Sequence, residues 1–497
     1  MGSIIIQSTT APKILFTVQR SGKMDVRSLP TPGRLIGGLI AFQCFILVTI
    51  PYVYSGAPPL DVVEGLVWAP HWLIGTYKHP PLPSWLIEIS VLLTHNVILG
   101  PYLVGQLCVA LTYWLIYRLG RLLMDPIRAA AGTILMAGAY YFTVPTLEFN
   151  HNVIQLPLWS AAVLLYAHLR QKPHSWLLWL GLGALGGFGL YGKYTFAVLL
   201  IILFCFSLFE RPTRAMFKTA RPYVSIALAV AVFSPHLIWL VQHDFEPFTY
   251  ALERSSNGPT SAPLVFMAAQ VADHMPIVLI LAVVGIGGLL KAESIQTIRD
   301  DVLFLRVIVF GPILLVFTLF ILSGSSAKDM WAMPMFNPLG LWLVMEIGRN
   351  WSLPQLHRAM MAAIALIFLI GIGFIVQALH PYADRPSRSY WPMIQIAKAV
   401  DGLWKERTDQ PLTIVGGTPF VAGLAAIGQK VRPDVMIGVD LSHSPWLNDQ
   451  DVRKRGIAFI FDDEQAIPAL CGATSFKTTV TIPDPLIPPL TVIICPP

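Results

Sequence analysis

The sequence predicts a polytopic α-helical membrane protein with a small α/β domain at its C-terminal end. Three observations predict it. Only 12% of the 497 residues are charged, 55% are hydrophobic, and mean hydropathy is +0.63; soluble domains carry about 25% charged residues. Apolar runs near the length a bilayer core requires recur along the chain. Past residue 380 short apolar strand patterns alternate with a helix and polar turns, the signature of a small α/β unit.

The first element is a basic tail, residues 1–34, with Lys13, Arg20, Lys23, Arg27 and Arg34. It has no cleavage-site pattern of a signal peptide and reads as an inner-side tail. Residues 35–379 form the membrane domain. Its apolar runs fall near 35–54, 97–117, 129–147, 154–169, 175–191, 193–209, 222–242, 273–290, 303–322, 329–348 and 359–379, about eleven spans. Cys44, Cys108 and Cys205 lie inside these runs and read as packing residues.

Charge placement supplies an independent count. With the N-terminus inside, the inner loops hold Arg118, Arg121, Arg128, Arg170, Lys172, Arg211, Arg214, Lys218, Arg221, Lys291, Arg299, Arg306, Arg349 and Arg358. The outer loops hold only Lys78, Lys193, Arg254 and Lys328. That asymmetry fits the positive-inside rule and an odd number of spans. It also accounts for the net charge of +6 and pI near 9.0 without invoking nucleic acid. The four outer cations escape the topological explanation and need another.

The first outer loop, 55–96, carries Asp61, Glu64, Lys78 and Glu88 in a chain with few charges. Asp61 and Glu64 stand at i, i+3, which puts both carboxylates on one face of a helical turn. They read either as a helix-start pair favoured by the macrodipole or as a general base with a second orienting carboxylate. Lys78-His79-Pro80-Pro81 follows, and its prolines fix an extended turn. Lys78 reads either as a snorkelling side chain or as a point charge for phosphate. Residues 81–95 are apolar but short and interrupted by Glu88 and His95, so they read as an interfacial helix. Other outer segments add Glu148, Asn150, His151 and Asn152, then Lys193 and Tyr194, then Glu253 and Arg254, then Lys328 and Trp331. They place acids, lysines and aromatics on one face of the bilayer, as handling a charged lipid headgroup requires.

In the tail, 380–497, PLTIVGG, VMIGV and GIAFIFD read as strands and FVAGLAAIGQ as a helix. The GGTPF turn lacks phosphate-loop spacing. An odd span count puts this domain outside, where Cys471 and Cys495 could form a disulfide.

The stretches DVVEGLVW, YKHPPLPSWL, FNHNVIQLPLW, GKYTF, SPHLIWLVQHDFEPFTYALERS and KDMWAMP resemble a family. It is that of the bacterial polyprenyl-phosphate-sugar glycosyltransferases, in the clan of dolichyl-phosphate-mannose–protein mannosyltransferases. The rhizobial RgtA/B/C/D-like group is nearest, and the lipid A aminoarabinose transferases are relatives. The resemblance covers roughly residues 35–345. It implies a C-type glycosyltransferase (GT-C) fold with juxtamembrane helices in the first periplasmic loop. It also implies a location in the bacterial inner membrane, with the active site and C-terminal domain periplasmic. The implied partners are a sugar carried on a polyprenyl phosphate, a lipid A or lipopolysaccharide acceptor, and the bilayer.

Residue by residue, the resemblance makes Asp61 the reaction-centre acid and Glu64 its partner. Lys78, His79 and Lys193 become the donor-phosphate contacts. Tyr194, Asn150, His151, Asn152, Glu253, Arg254, Lys328 and Trp331 are candidate substrate contacts. Two departures matter. Lys78 stands where the aminoarabinose transferases have a glutamate, and their later acid is represented by Asn150 or Asn152. Those two acids bind a divalent metal in that relative, so neither a metal nor another cofactor is expected here. The competing reading is a secondary transporter, which calls for polar midplane residues, broken helices and inverted repeats.

Overall fold

The computed structural model describes residues 31–255, 262–285, 299–324, 328–346, 350–381 and 386–497. The basic tail up to residue 30 lies outside them, as do the loop cations Lys291 and Arg349.

The membrane part is helical throughout. In chain order it contains α1 (Pro32–Tyr54), α2 (Leu60–Trp68), α3 (Leu82–Thr94), α4 (Leu99–Leu123), α5 (Pro126–Leu135) and α6 (His151–Gln171). Then follow α7 (Trp176–Gly192), α8 (Phe196–Phe209), α9 (Arg211–Met216), α10 (Arg221–Gln242), α11 (Glu246–Ser255) and α12 (Ala262–Val284). The last three are α13 (Arg299–Ser323), α14 (Leu339–Glu346) and α15 (Leu353–Leu379). Seven of these (α1, α4, α6, α10, α12, α13 and α15) are long and apolar enough to cross a bilayer. The shorter α7 and α8 cover two further expected runs. The 13-residue α3 is the short helix expected after HPPLP, below the length a span requires.

Two of the apolar runs are not continuous helices. Run 129–147 begins as α5, stops at Leu135 and continues as three 3-10 turns to Leu147. Run 329–348 opens with a 3-10 turn, Asp329–Ala332, passes Pro334 and Pro338, and becomes α14. Irregular backbone is tolerated at membrane depth only when protein groups satisfy it. Here buried glutamines do so. Gln43 donates to the Phe142 carbonyl (2.6 Å) and Gln106 to the Thr146 hydroxyl (2.9 Å), while Tyr113 donates to Gln43 (3.1 Å). The two broken segments also meet backbone to backbone. A Cβ on Gly340 would strike the Gly132 carbonyl, so neither position has room for a side chain.

Charge separates to the two ends of the bundle. At the C-terminal end of α6, Arg170 pairs with Glu210 and Asp301, and Arg306 pairs with Glu346 nearby in the fold. The N-terminal end of α6 lies about 30 Å away, at 1.5 Å per residue, and meets the first loop. Among the cysteines of the runs, Cys108 is buried and Cys44 half-buried, but Cys205 is exposed. It lies on the outside of the bundle rather than in its packing.

The C-terminal part adds α16 (Met393–Lys405), β1 (Ile414–Gly417), α17 (Pro419–Ile427), β2 (Asp434–Ile437), α18 (Asp449–Arg455), β3 (Ile457–Phe461), β4 (Phe476–Val480) and β5 (Leu490–Cys495). The sheet order is β2-β1-β3-β5-β4, parallel across the first three strands and antiparallel beyond. Cys471 and Cys495 are joined in a disulfide, Cα atoms 5.3 Å apart. This layer docks on the first loop. Arg432 bonds the buried Glu88 on α3 at 2.6 Å, and Trp446 stacks on His71 at 4.4 Å. Val63 of α2 occupies the space a side chain at position 423 would need, so only Gly423 lets α17 approach. The Ser389 carbonyl takes the backbone N–H groups of Gly56 and Ala57.

Candidate active site

The site is built where α6 begins. Asn150 caps that helix, its side-chain oxygen accepting the N–H groups of Asn152 (2.9 Å) and Val153 (3.3 Å). Such a cap satisfies donors that a helix start leaves unpaired. The same side chain donates its amide to the Asp61 carboxylate at 2.8 Å. The next residue, His151, is buried and donates Nε2–H to the Pro80 carbonyl at 3.0 Å. The third, Asn152, accepts the Lys193 ammonium through Oδ1. Three consecutive residues thus hold α2, the HPP turn and the α7–α8 turn.

Asp61 lies in the first turn of α2, but its side chain does not cap that helix. It faces Asn150 instead. Its backbone N–H donates to Glu148 at 2.7 Å. Burial and the neighbouring Asp61 charge raise the Glu148 carboxyl to about 7. A carboxyl so placed exchanges its proton near neutral pH.

The turn carrying Lys78 is pinned by Thr76, whose hydroxyl donates to the His79 carbonyl and accepts the His79 N–H, both at 3.1 Å. Lys78 forms an ion pair with Glu64 and sits 5.5 Å from the Tyr77 ring and 5.4 Å from the Tyr250 ring. It is enclosed, not snorkelling. Burial alone would lower its pKa, but Glu64 raises it on balance, so it stays an ammonium.

His79 follows Lys78 in the same turn. Burial, then the proximity of His151 and Lys193, hold it well below the ordinary imidazole value. The two rings lie 4.1 Å apart. His79 is therefore placed to offer a hydrogen bond rather than a charge. Burial lowers Lys193 to about 7 against the opposing pull of Asp61. Its Nζ is 5.6 Å from the Trp331 ring.

The remaining candidates fall around this centre. The Tyr194 hydroxyl donates to His236, which in turn donates to the Ile74 carbonyl. Tyr194 therefore braces the loop. Arg254 is exposed, bonds the Tyr250 hydroxyl at 3.2 Å and acts electrostatically on Glu64. Glu253 and Lys328 are exposed. From the C-terminal layer, His443 stacks on Tyr77 at 4.0 Å, placing that layer directly over Lys78.

Residues 78–239 match the family model described as dolichyl-phosphate-mannose-protein mannosyltransferase. Two curated relatives are the lipopolysaccharide core galacturonosyltransferases RgtA and RgtB of Rhizobium johnstonii, both 24% identical. The RgtA match covers 43% of this chain and 42% of RgtA, less than half of that relative's length; the RgtB match covers 78% and 80%. Among solved structures, ArnT from Cupriavidus metallidurans bound to undecaprenyl phosphate aligns over 93% of this chain and 97% of its own, with a TM-score of 0.60 at 11% identity. This chain has a C-type glycosyltransferase fold.

Within the GT-C frame, the acid beside Asp61 is Glu148. Asn150 and Asn152, the residues the resemblance offers for that place, bond Asp61 and Lys193 respectively. Each of the site carboxylates has an N–H partner on one oxygen. Glu148 accepts a backbone N–H, Asp61 an amide and Glu64 an ammonium. Among the described residues no group of three or more metal-ligating side chains is placed to hold a metal ion.

Proposed function

We propose that this protein transfers a sugar from a polyprenyl-phosphate donor to a cell-envelope glycolipid, with inversion, at the periplasmic face of the bacterial inner membrane. The observation that carries the reading is the Asp61–Glu148 carboxylate pair, fixed at one end of a GT-C bundle with Lys78 and Lys193 beside it. Asp61 positions and deprotonates the acceptor hydroxyl, with Glu148 as the neighbouring proton store. The new acceptor-oxygen bond to the anomeric carbon forms as the bond to the donor phosphate oxygen breaks. The proton passes to the carboxylate pair, and polyprenyl phosphate departs with the bonding electrons. Lys193, the remaining N–H donors of Lys78, and Arg254 at the rim stabilise the phosphate charge by fixed electrostatics.

An apolar cavity of about 400 Å³ between α7, α8 and α10 supports the lipid donor. Its lining reaches Leu190 and Phe233, and Phe233 is 5.2 Å from His236, the partner of Tyr194. Part of a prenyl chain fits there, with its phosphate near Lys193. The names of RgtA and RgtB make galacturonic acid the first sugar to test and lipopolysaccharide core the first acceptor. We take 380–497 as the domain that covers the site.

The test is transfer by purified protein from radiolabelled polyprenyl-phosphate sugars to lipopolysaccharide core and lipid A. Label appearing in the glycolipid, and vanishing in Asp61→Asn, is the expected result. Solute flux across sealed vesicles without transfer would return the transporter reading.

A further inference from the structure

A second polar cluster lies away from Asp61, between α12, the 3-10 turns at 136–142 and the turn at 329–332. It comprises Tyr140, Tyr141, Gln270, Asp273, His274 and Asp329. Tyr141 is 1% exposed and Gln270 3% exposed. The Tyr141 hydroxyl faces Asp273 and Gln270, and the Gln270 Oε1 and Asp273 Oδ2 are buried with no other partner. One hydroxyl has a single proton to give, so at least one of these two buried acceptors stays unpaired. Such an atom costs about 1–3 kcal/mol and calls for a donor from a ligand.

The unpaired atoms also say what kind of ligand. The Gln270 amide is spent on the Asp329 carbonyl (3.1 Å), leaving its oxygen. His274 donates Nδ1–H to the Gln270 carbonyl (2.7 Å), leaving Nε2 as an acceptor. Pro276 has no N–H for the Ala272 carbonyl one turn earlier. Two carboxylates complete a set composed almost wholly of acceptors. A phosphate would be repelled there. A group rich in hydroxyl donors, such as a sugar, satisfies it.

The cluster is open sideways and linked to the reaction centre. Tyr140 is 38% exposed, and Val271 and Met275 present apolar surface beside it. The turn at 329–332 is shared: Trp331 lies over Lys193, and Asp329 acts on Tyr140, Tyr141 and Asp273. We propose that this cluster is a second headgroup site, taking the hydroxyl-bearing sugar of the acceptor glycolipid as it enters laterally from the membrane. This assignment rests on the transferase reading of the Asp61 site.

The test separates the two. Native mass spectrometry of the full-length protein would compare retention of monoglucosyl diacylglycerol, phosphatidylglycerol and a long-chain alkylammonium. Asp273→Asn and the near-isosteric Tyr141→Phe should each weaken glucosyl-lipid retention about tenfold, the effect of one lost hydrogen bond involving a charged group. Phosphatidylglycerol retention should not move. In the transfer assay the same variants should raise acceptor KM by a similar factor and leave donor KM unchanged. Glucosyl-lipid retention by a wild type that transfers nothing, lost in both variants, would sink the transferase reading and keep the site. Unchanged acceptor KM and glucosyl-lipid retention in both variants, a raised donor KM, or retention of the alkylammonium alone would overturn the site.

Discussion

Glu148 receives the backbone N–H of Asp61 at 2.7 Å, so the position of one carboxylate is set by the other. Replacing either should affect chemistry more than binding. Asp61→Asn and Glu148→Gln should each lower kcat by roughly 100-fold or more, the usual weight of a general acid–base group. Donor KM should change far less. Steady-state kinetics with separately varied donor and acceptor check this.

The pH profile should be bell-shaped. Glu148 must be ionised to take a proton and sits near 7 because burial and Asp61 raise it. Lys193 must be protonated to hold phosphate and also sits near 7, because burial lowers it. Activity (kcat/KM) therefore rises as Glu148 loses its proton and falls as Lys193 loses its own. Glu148→Gln should remove the acid limb, and Lys193→Arg should push the alkaline limb beyond pH 9, since an arginine stays charged. A flat profile in the wild type would contradict both assignments.

Asn150 can be tested without losing the helix cap. Asn150→Asp keeps an acceptor for the Asn152 and Val153 N–H groups but removes the donor to Asp61 and sets a like charge against it. Thermal stability should fall by no more than about 1 kcal/mol. Activity should fall at least tenfold, about 1.4 kcal/mol of transition-state stabilisation.

The C-terminal layer is held from within and from below. Cys471→Ser opens a loop with sequence separation 24 and should cost about 3 kcal/mol. Arg432→Ala leaves Glu88 buried without its cation and should cost about 3 kcal/mol of domain docking. Limited proteolysis after residue 380 reads both, and Glu88→Gln should partly restore the Arg432→Ala protein.

Chelation should leave transfer intact, because Lys78 and Lys193, rather than a metal ion, supply the positive charge beside the site carboxylates. Complete inhibition by EDTA, reversed by one divalent cation, would show this to be wrong.

Much of this was legible in sequence, and for physical reasons. Runs such as 35–54 and 359–379 announce long helices because a bilayer demands both length and apolarity. Asp61, Lys78 and Lys193 stand out because charge is rare in this chain. The breaks at 136–147 and 329–338 were not legible. Apolar composition reports depth in the membrane, whereas the backbone there depends on Gln43 and Gln106 reaching across from other helices. Glu148 stands out in sequence as one more outer acid, but only the fold shows that it is the carboxylate that meets Asp61. Strands β4 and β5 escaped notice because the short alternation in FKTTV is weak alone and pairs with a partner ten residues later.

The tripeptide Asn150-His151-Asn152 also has a consequence for how such enzymes can diversify. A residue inserted just after it, inside α6, would rotate these three residues by about 100° relative to the rest of the helix and misalign all three attachments together. Substrate range can therefore drift in the parts that only arrive at this helix, the 329–332 turn and the C-terminal sheet, while the helix start admits substitution poorly and insertion not at all. Chimaeras between transferases of this fold should be joined at loops on the Arg170 end of α6, where the fold has no such shared origin.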